Sequence, residues 1–237
     1  MSELVVLLAH GSPDERSSLA AVDVAERFES FLDGPIVRIA YLQHNWPTLT
    51  AAIGRELDSG EISTVRVQPL LLSAATHALR DVPNAVAKAE RDNRIQLAIG
   101  DTIGMDPVLA MGLDAQIPAG SPVVVAWAGG RTPQAQFAAA ALAEQWTVAT
   151  GREIVLAAVS ENGQAIIDAV ADLRGRTDRQ PHIATFTLFP GVIADQVKRA
   201  GDASGSPVTT PLHELDDLLN VLETRLTAKP LDGTATA

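Results

Sequence analysis

The sequence contains no cysteine, which excludes thiolate metal sites, iron–sulfur clusters and disulfide frameworks. Aromatic residues make up only 4% of the chain, so Ala, Val, Leu and Ile must fill the core. Cations are outnumbered: 18 Lys and Arg face 29 Asp and Glu, a formal net charge of −11. A nucleic-acid partner is therefore not expected, because such a protein needs a basic face. Any polyanionic ligand must find a local cationic group against an unfavourable overall field. No apolar run approaches the roughly 18 residues of a membrane span. The first residues enter a strand-like segment with no basic leader region, so no signal peptide is expected. The expectation is a soluble, cytoplasmic protein with no membrane partner. The 237 residues, 46% of them hydrophobic, suffice for one large domain or two small ones.

Val5 to Ala9 is a continuous aliphatic run, the pattern of a strand buried on both faces of a parallel sheet. Ser12-Pro13-Asp14-Glu15 then predicts a helix start with Ser12 at the N-cap. Leu19, Val22, Ala25, Phe28 and Leu32 follow at helical spacing. Strands are predicted over Ile36 to Leu42, from Val65 onward and over Ile95 to Ile99. Helices are predicted over Pro47 to Leu57, Asp81 to Asn93 and from Pro107. This alternation predicts an α/β fold with a doubly wound parallel sheet of flavodoxin-like topology.

After Pro118-Ala-Gly-Ser-Pro122 the alternation restarts. Val123 to Gly130 echoes the first strand and its turn, and Pro133 to Thr150 echoes the first helix. Ile154 to Val159, Ala165 to Leu173 and His182 to Phe189 repeat the next units. Val208 and a helix from His213 to Leu226 complete a second set of four. The chain reads as a tandem duplication with a spacing of about 115 residues. Two similar domains are expected, 1–117 and 122–228, facing each other across a cleft, with a disordered tail at 229–237.

Ligands bind a parallel sheet outside the carboxyl ends of its strands. His10 ends the first strand, His77 lies just past the third, and Gln43 and His44 follow the second. One such histidine is ordinarily a satisfied polar residue. Two on one edge, each beside small residues that leave room, suit a borderline divalent cation such as Fe2+, Co2+, Ni2+ or Zn2+. A neutral imidazole also accepts protons near neutral pH. His44 reads as a loop residue, and His182 and His213 as structural or solvated. Trp46, Trp127 and Trp146 read as packing, and Asp81 and Asp195 as charges at helix starts. No P-loop, dinucleotide fingerprint or acidic metal cluster is present.

The stretches Leu8-Ala-His10-Gly-Ser12, Tyr41-Leu-Gln-His-Asn-Trp-Pro47, Pro69-Leu-Leu-Leu-Ser-Ala-Ala-Thr-His77-Ala-Leu-Arg-Asp-Val-Pro83 and Ile99-Gly-Asp-Thr-Ile-Gly104 resemble the sirohydrochlorin chelatases, the CbiX/SirB branch of the class II chelatases. The resemblance rests on motifs in the first half and on architecture in the second. It implies insertion of Fe2+ or Co2+ into sirohydrochlorin, towards siroheme or cobalamin, with the metal as substrate and no prosthetic group. It places His10 and His77 on the family's metal-binding, proton-accepting histidines and Gln43 where a glutamate is common. It also implies one active site, in the first half, with the second domain as its opposing wall. Single-domain members dimerise, so the duplicated chain is expected to be a monomer.

Taken with that resemblance, the residues assign His10 and His77 to holding the metal and accepting pyrrole protons. Ser12, Ser73 and Thr76 would meet substrate carboxylates, and Arg80 would pair with one of them. Iron is the expected metal. The alternatives are a cobaltochelatase, or a metal or tetrapyrrole binder that lost turnover with the carboxylate at position 43. A phosphoglycerate-mutase-like reading is disfavoured, because those proteins need Arg directly before the His-Gly pair and this chain has Ala9.

Overall fold

A computed structural model of the chain describes residues 2–72, 80–130, 132–159 and 162–227. Among these, two parallel sheets form in succession. The first has the order β2-β1-β3-β4, with β1 at Ser2–Ala9, β2 at Ile36–Tyr41, β3 at Ile62–Leu70 and β4 at Ala98–Ile99. Helices α1 (Glu15–Phe31), α2 (Leu49–Leu57) and α3 (Val82–Asn93) alternate with them, followed by α4 (Pro107–Asp114). The second sheet has the order β6-β5-β7, from β5 (Val123–Trp127), β6 (Ile154–Ala158) and β7 (His182–Phe186). Its helices are α5 (Pro133–Thr150), α6 (Gln164–Arg176) and α7 (Val192–Ser204), and α8 (Asp217–Thr227) closes the described chain. Every ladder is parallel, so the doubly wound α/β expectation holds.

Alternation along β1 explains the first core. Leu4, Val6 and Leu8 share one face with Val65 and Val67, where Leu49 and Ile53 of α2 and Val82 and Val86 of α3 cover them. Val5 and Leu7 point the other way and are equally buried. Burying both faces of the central strand is what an uninterrupted aliphatic run demands, since each such side chain contributes about 1.5–3 kcal/mol when removed from water. Phe28 on the inward stripe of α1 is fully buried, whereas Leu19 on the same helix is 62% exposed.

Four expectations need correction, each for a hydrogen-bonding reason. Ser12 is not the N-cap of α1. Its backbone N–H donates to Asn45 Oδ1 at 2.7 Å and its hydroxyl accepts from the Asp14 amide at 3.1 Å. The cap falls to Asp14, which accepts from the Arg16 amide at 3.0 Å. The fourth strand shrinks from Ile95–Ile99 to its last two residues because Glu90 claims the earlier amides: its carbonyl takes Ile95 N and its carboxylate takes Leu97 N. In the second half Val208 makes only a single bridge to Ile183. Beyond it the Thr209 hydroxyl accepts from Thr185 N, and the Thr185 hydroxyl donates to Thr209 O, both at 2.9 Å. Side chains thus occupy the ladder positions. No helix starts at His213 either, because Leu212 N and His213 N donate to Thr187 O and Leu188 O; a short 3-10 turn precedes α8. Trp146 is buried as expected, but Trp46 is 66% exposed.

Two compact units result, one of Met1–Ile103 with Leu219–Ala237 and one of Gly104–Leu218. Helix α4 therefore counts with the second unit, packing on α5 and β7, although the duplication places it at the end of the first repeat. Most of α8 counts with the first, where Arg66 Nη1 donates to Leu226 O and Arg225 Nη2 donates to Ile103 O. Within the second unit Arg152 is 6% exposed and spends all five donors. It forks onto Asp114 at 2.6 and 3.1 Å and reaches the carbonyls of Ile117, Pro118 and Ser121. Trp146 Nε1 donates to the same Asp114 at 2.7 Å.

Candidate active site

In the order β2-β1-β3, the chain leaves β1 towards β2 on one side and returns to β3 on the other. At such a reversal an open α/β sheet binds its ligands outside the carboxyl ends of the strands, here those of β1 and β3. His10 is the first residue beyond β1 and is half-buried there. Its Nδ1–H donates to the Gly11 carbonyl at 3.0 Å. A carbonyl can only accept, so this bond keeps the proton of the neutral ring on Nδ1 and leaves Nε2 as the basic nitrogen. Gln43 Nε2 lies 3.3 Å from His10 Nε2, so the amide N–H is the donor. The amide can also turn its oxygen to the same point, which is what a cation would require of it.

The loops after β1 and β2 are locked to each other. Leu42 N donates to Ala9 O and Gln43 N to His10 O, each at 3.0 Å. Asn45 accepts the Ser12 amide at 2.7 Å while its own amide donates to Gln43 O at 2.7 Å. Gly11 sits at φ +89°, and a Cβ there would stand 1.8 Å from Gln43 O. The position thus excludes every side chain twice, by conformation and by space. Below the loop, Tyr41 is 4% exposed and its hydroxyl donates to Ser18 O at 3.2 Å, tying β2 to α1. Burial raises the Tyr41 phenol above its ordinary value of 10.0.

His44 occupies the left-handed region at φ 64° and is exposed, with its ring centroid 6.5 Å from that of His10 and a tilt of 46° between the planes. Arg80 is exposed at the approach to α3. Of the expected site residues, the structure brings Gln43 onto His10 and ties Ser12 into the same pair of loops through Asn45. His77, Ser73 and Thr76 lie outside the described residues. Sequence reasoning passed over Asn45, whose role is a side-chain bond to a backbone amide that no motif announces. His44 reads from the sequence as a loop residue, yet its ring lies beside that of His10.

Among the described residues the second unit repeats the frame without the imidazole. Val159 N donates to Trp127 O at 2.8 Å, as Leu42 N does to Ala9 O. Gly129 takes φ +78° where Gly11 takes +89°. The residue between strand and glycine is Ala128, where the first unit has His10.

Residues 4–118 match the family model CbiX. A protein of Sulfurisphaera tokodaii named sirohydrochlorin cobaltochelatase is 30% identical over 106 residues, covering 45% of this chain and 83% of that protein. A Bacillus subtilis protein named sirohydrochlorin ferrochelatase is 21% identical over 207 residues, 84% of this chain and 79% of its own. The solved structure of SirB from Bacillus subtilis with Fe3+ superposes with a TM-score of 0.81 at 18% identity, covering 95% of this chain and 94% of that one. This last likeness bears on the fold.

Proposed function

The chain belongs to the CbiX family, and from that premise we propose that it is a sirohydrochlorin chelatase, a lyase-class enzyme of tetrapyrrole biosynthesis that inserts a divalent metal into sirohydrochlorin. The observation that carries this reading is His10, held at the carboxyl end of β1 with Nδ1 committed to Gly11 O and Nε2 facing the amide of Gln43. Insertion replaces the cation's water and protein ligands by four ring nitrogens and releases two pyrrole protons, with no change of oxidation state. The protein must therefore supply loosely held ligands and proton acceptors. His10 does both through one nitrogen: Nε2 coordinates the ion and, once the ring nitrogens take it, accepts a proton. We assign His77 the same pair of tasks and Gln43 a weaker, neutral share of the coordination. Ser12, Ser73, Thr76 and Arg80 are assigned to the substrate's carboxylates, Arg80 by charge-assisted hydrogen bonds.

Iron is our reading of the metal. The relative named ferrochelatase aligns along most of this chain, whereas the relative named cobaltochelatase aligns with under half of it. A monomer in the cytoplasm completes the proposal. No helix among the described residues is long and apolar enough to cross a membrane. Anaerobic turnover of sirohydrochlorin with Fe2+ and with Co2+, followed by the change in the macrocycle's absorbance, tests the assignment. Many equivalents converted per chain, lowered at least about a hundredfold in His10→Ala and in His77→Ala, is the expected result. The neutral Gln43 favours one rival, a non-catalytic binder, which would give only a stoichiometric spectral shift.

A further inference from the structure

We propose that His44 is a further protein ligand for the incoming metal and pairs with His10 to receive it before the macrocycle does. The proposal rests on the chelatase reading for its purpose, but its geometry stands separately. The two ring centroids are 6.5 Å apart. Metal–nitrogen bonds of about 2.0–2.1 Å put the centroids of two imidazoles sharing one ion roughly 5–6 Å apart. His44 is exposed, so a small swing of its side chain can close the difference. His10 cannot move as far, because its Nδ1 is bonded to Gly11 O and its loop is locked to the next.

The backbone supports the same reading. His44 is one of two non-glycine residues at positive φ among those described, the other being the helix C-cap Arg94. A left-handed non-glycine residue inside a loop is strained, and such conformations cluster where a side chain must be aimed. Here the loop that carries it is fixed by Asn45, which accepts the Ser12 amide and donates to Gln43 O. The inference also accounts for the neutral amide at position 43. An imidazole one residue on can provide the donor strength that Gln43 lacks, and it favours borderline cations over the hard ions a carboxylate would also hold.

The test uses the whole chain and Co2+ alone, without tetrapyrrole, under anaerobic conditions. Affinity is read by calorimetry and coordination by the visible ligand-field spectrum. His44→Asn is the working variant, because Asn tolerates the left-handed conformation and keeps the loop; His44→Gly relieves the backbone entirely and serves as its control. Both should weaken Co2+ binding at least about tenfold and alter the spectrum, while Gln43→Glu in the His44→Asn background should restore affinity. The chain has five histidines, so the paramagnetically shifted ring resonances can be assigned singly, and His44 should be among them. Unchanged affinity and spectrum in His44→Asn would overturn the inference while leaving turnover by the unaltered chain to stand. Conversely, His44-dependent Co2+ binding with no turnover would sink the chelatase reading and keep the metal pair.

Discussion

The carboxyl edges of the two sheets are the same construction used twice, once with an imidazole and once, among the described residues, without. Leu42 N→Ala9 O in the first and Val159 N→Trp127 O in the second are equivalent bonds, and Gly11 and Gly129 share a positive φ. What differs is the side chains around them. His10 in the first corresponds to Ala128 in the second, and buried Tyr41 at the end of β2 corresponds to exposed Ala158 at the end of β6. The glycines differ in tightness as well. A Cβ on Gly11 would meet a backbone oxygen at 1.8 Å, whereas one on Gly129 would meet the Ala158 methyl at 3.3 Å. The strand-end turn is thus a property of the fold, and the candidate site is a set of side chains added to it.

The sharpest way to break this comparison is to exchange the distinguishing residue. His10→Ala should lower turnover by about a hundred- to ten-thousandfold, the usual range for a lost acid–base group, with thermal unfolding unchanged. Ala128→His should confer nothing, and activity in an Ala128→His/His10→Ala double variant would mean the two edges are interchangeable after all. Next comes the second unit's own anchor. Arg152→Ala strands Asp114 and removes five donors, so denaturant unfolding should reveal a loss of roughly 3–5 kcal/mol.

Gly11→Ala and Gly129→Ala sharpen the contrast in tightness. The first should lose more than about 2 kcal/mol and displace Gln43 from His10, visible as changed histidine resonances. The second should lose about 1 kcal/mol, the strain of the conformation alone. The smallest effect is at Tyr41, where Tyr41→Phe removes a bond worth about 1 kcal/mol. Because burial raises its folded pKa, Tyr41 favours the folded state fully below the unfolded value, and that contribution is lost as pH climbs through the folded one. Unfolding midpoints should therefore fall on the alkaline side of about pH 10 in the parent chain, and Tyr41→Phe should lack that part of the decline. The chain has a single tyrosine, so its ultraviolet titration reports this residue alone.

Much of the fold was legible because aliphatic runs such as Val5–Ala9 and Val123–Trp127 admit one environment, a strand buried on both faces. The duplication was legible for the same reason. Illegible were the places where a side chain takes a backbone partner: Glu90 shortening β4, Thr185 and Thr209 replacing a strand, Asp14 rather than Ser12 capping α1. Such bonds depend on atoms brought together from elsewhere in the chain, and local propensity does not contain them. At the site, His10 and Gln43 could be paired from strand order alone, since both follow neighbouring strands. The approach of His44 to His10 depends on one φ angle, which the sequence of that loop does not disclose.

The trading of terminal helices has an evolutionary side. Each compact unit is finished by a segment that the gene encodes in the opposite repeat, α8 for the first and α4 for the second. A repeat that adds nothing can ordinarily be pruned by deletion. Here cutting at the seam between repeats would strip the unit that carries His10 of the helix that completes it, so selection on that unit also preserves the other repeat.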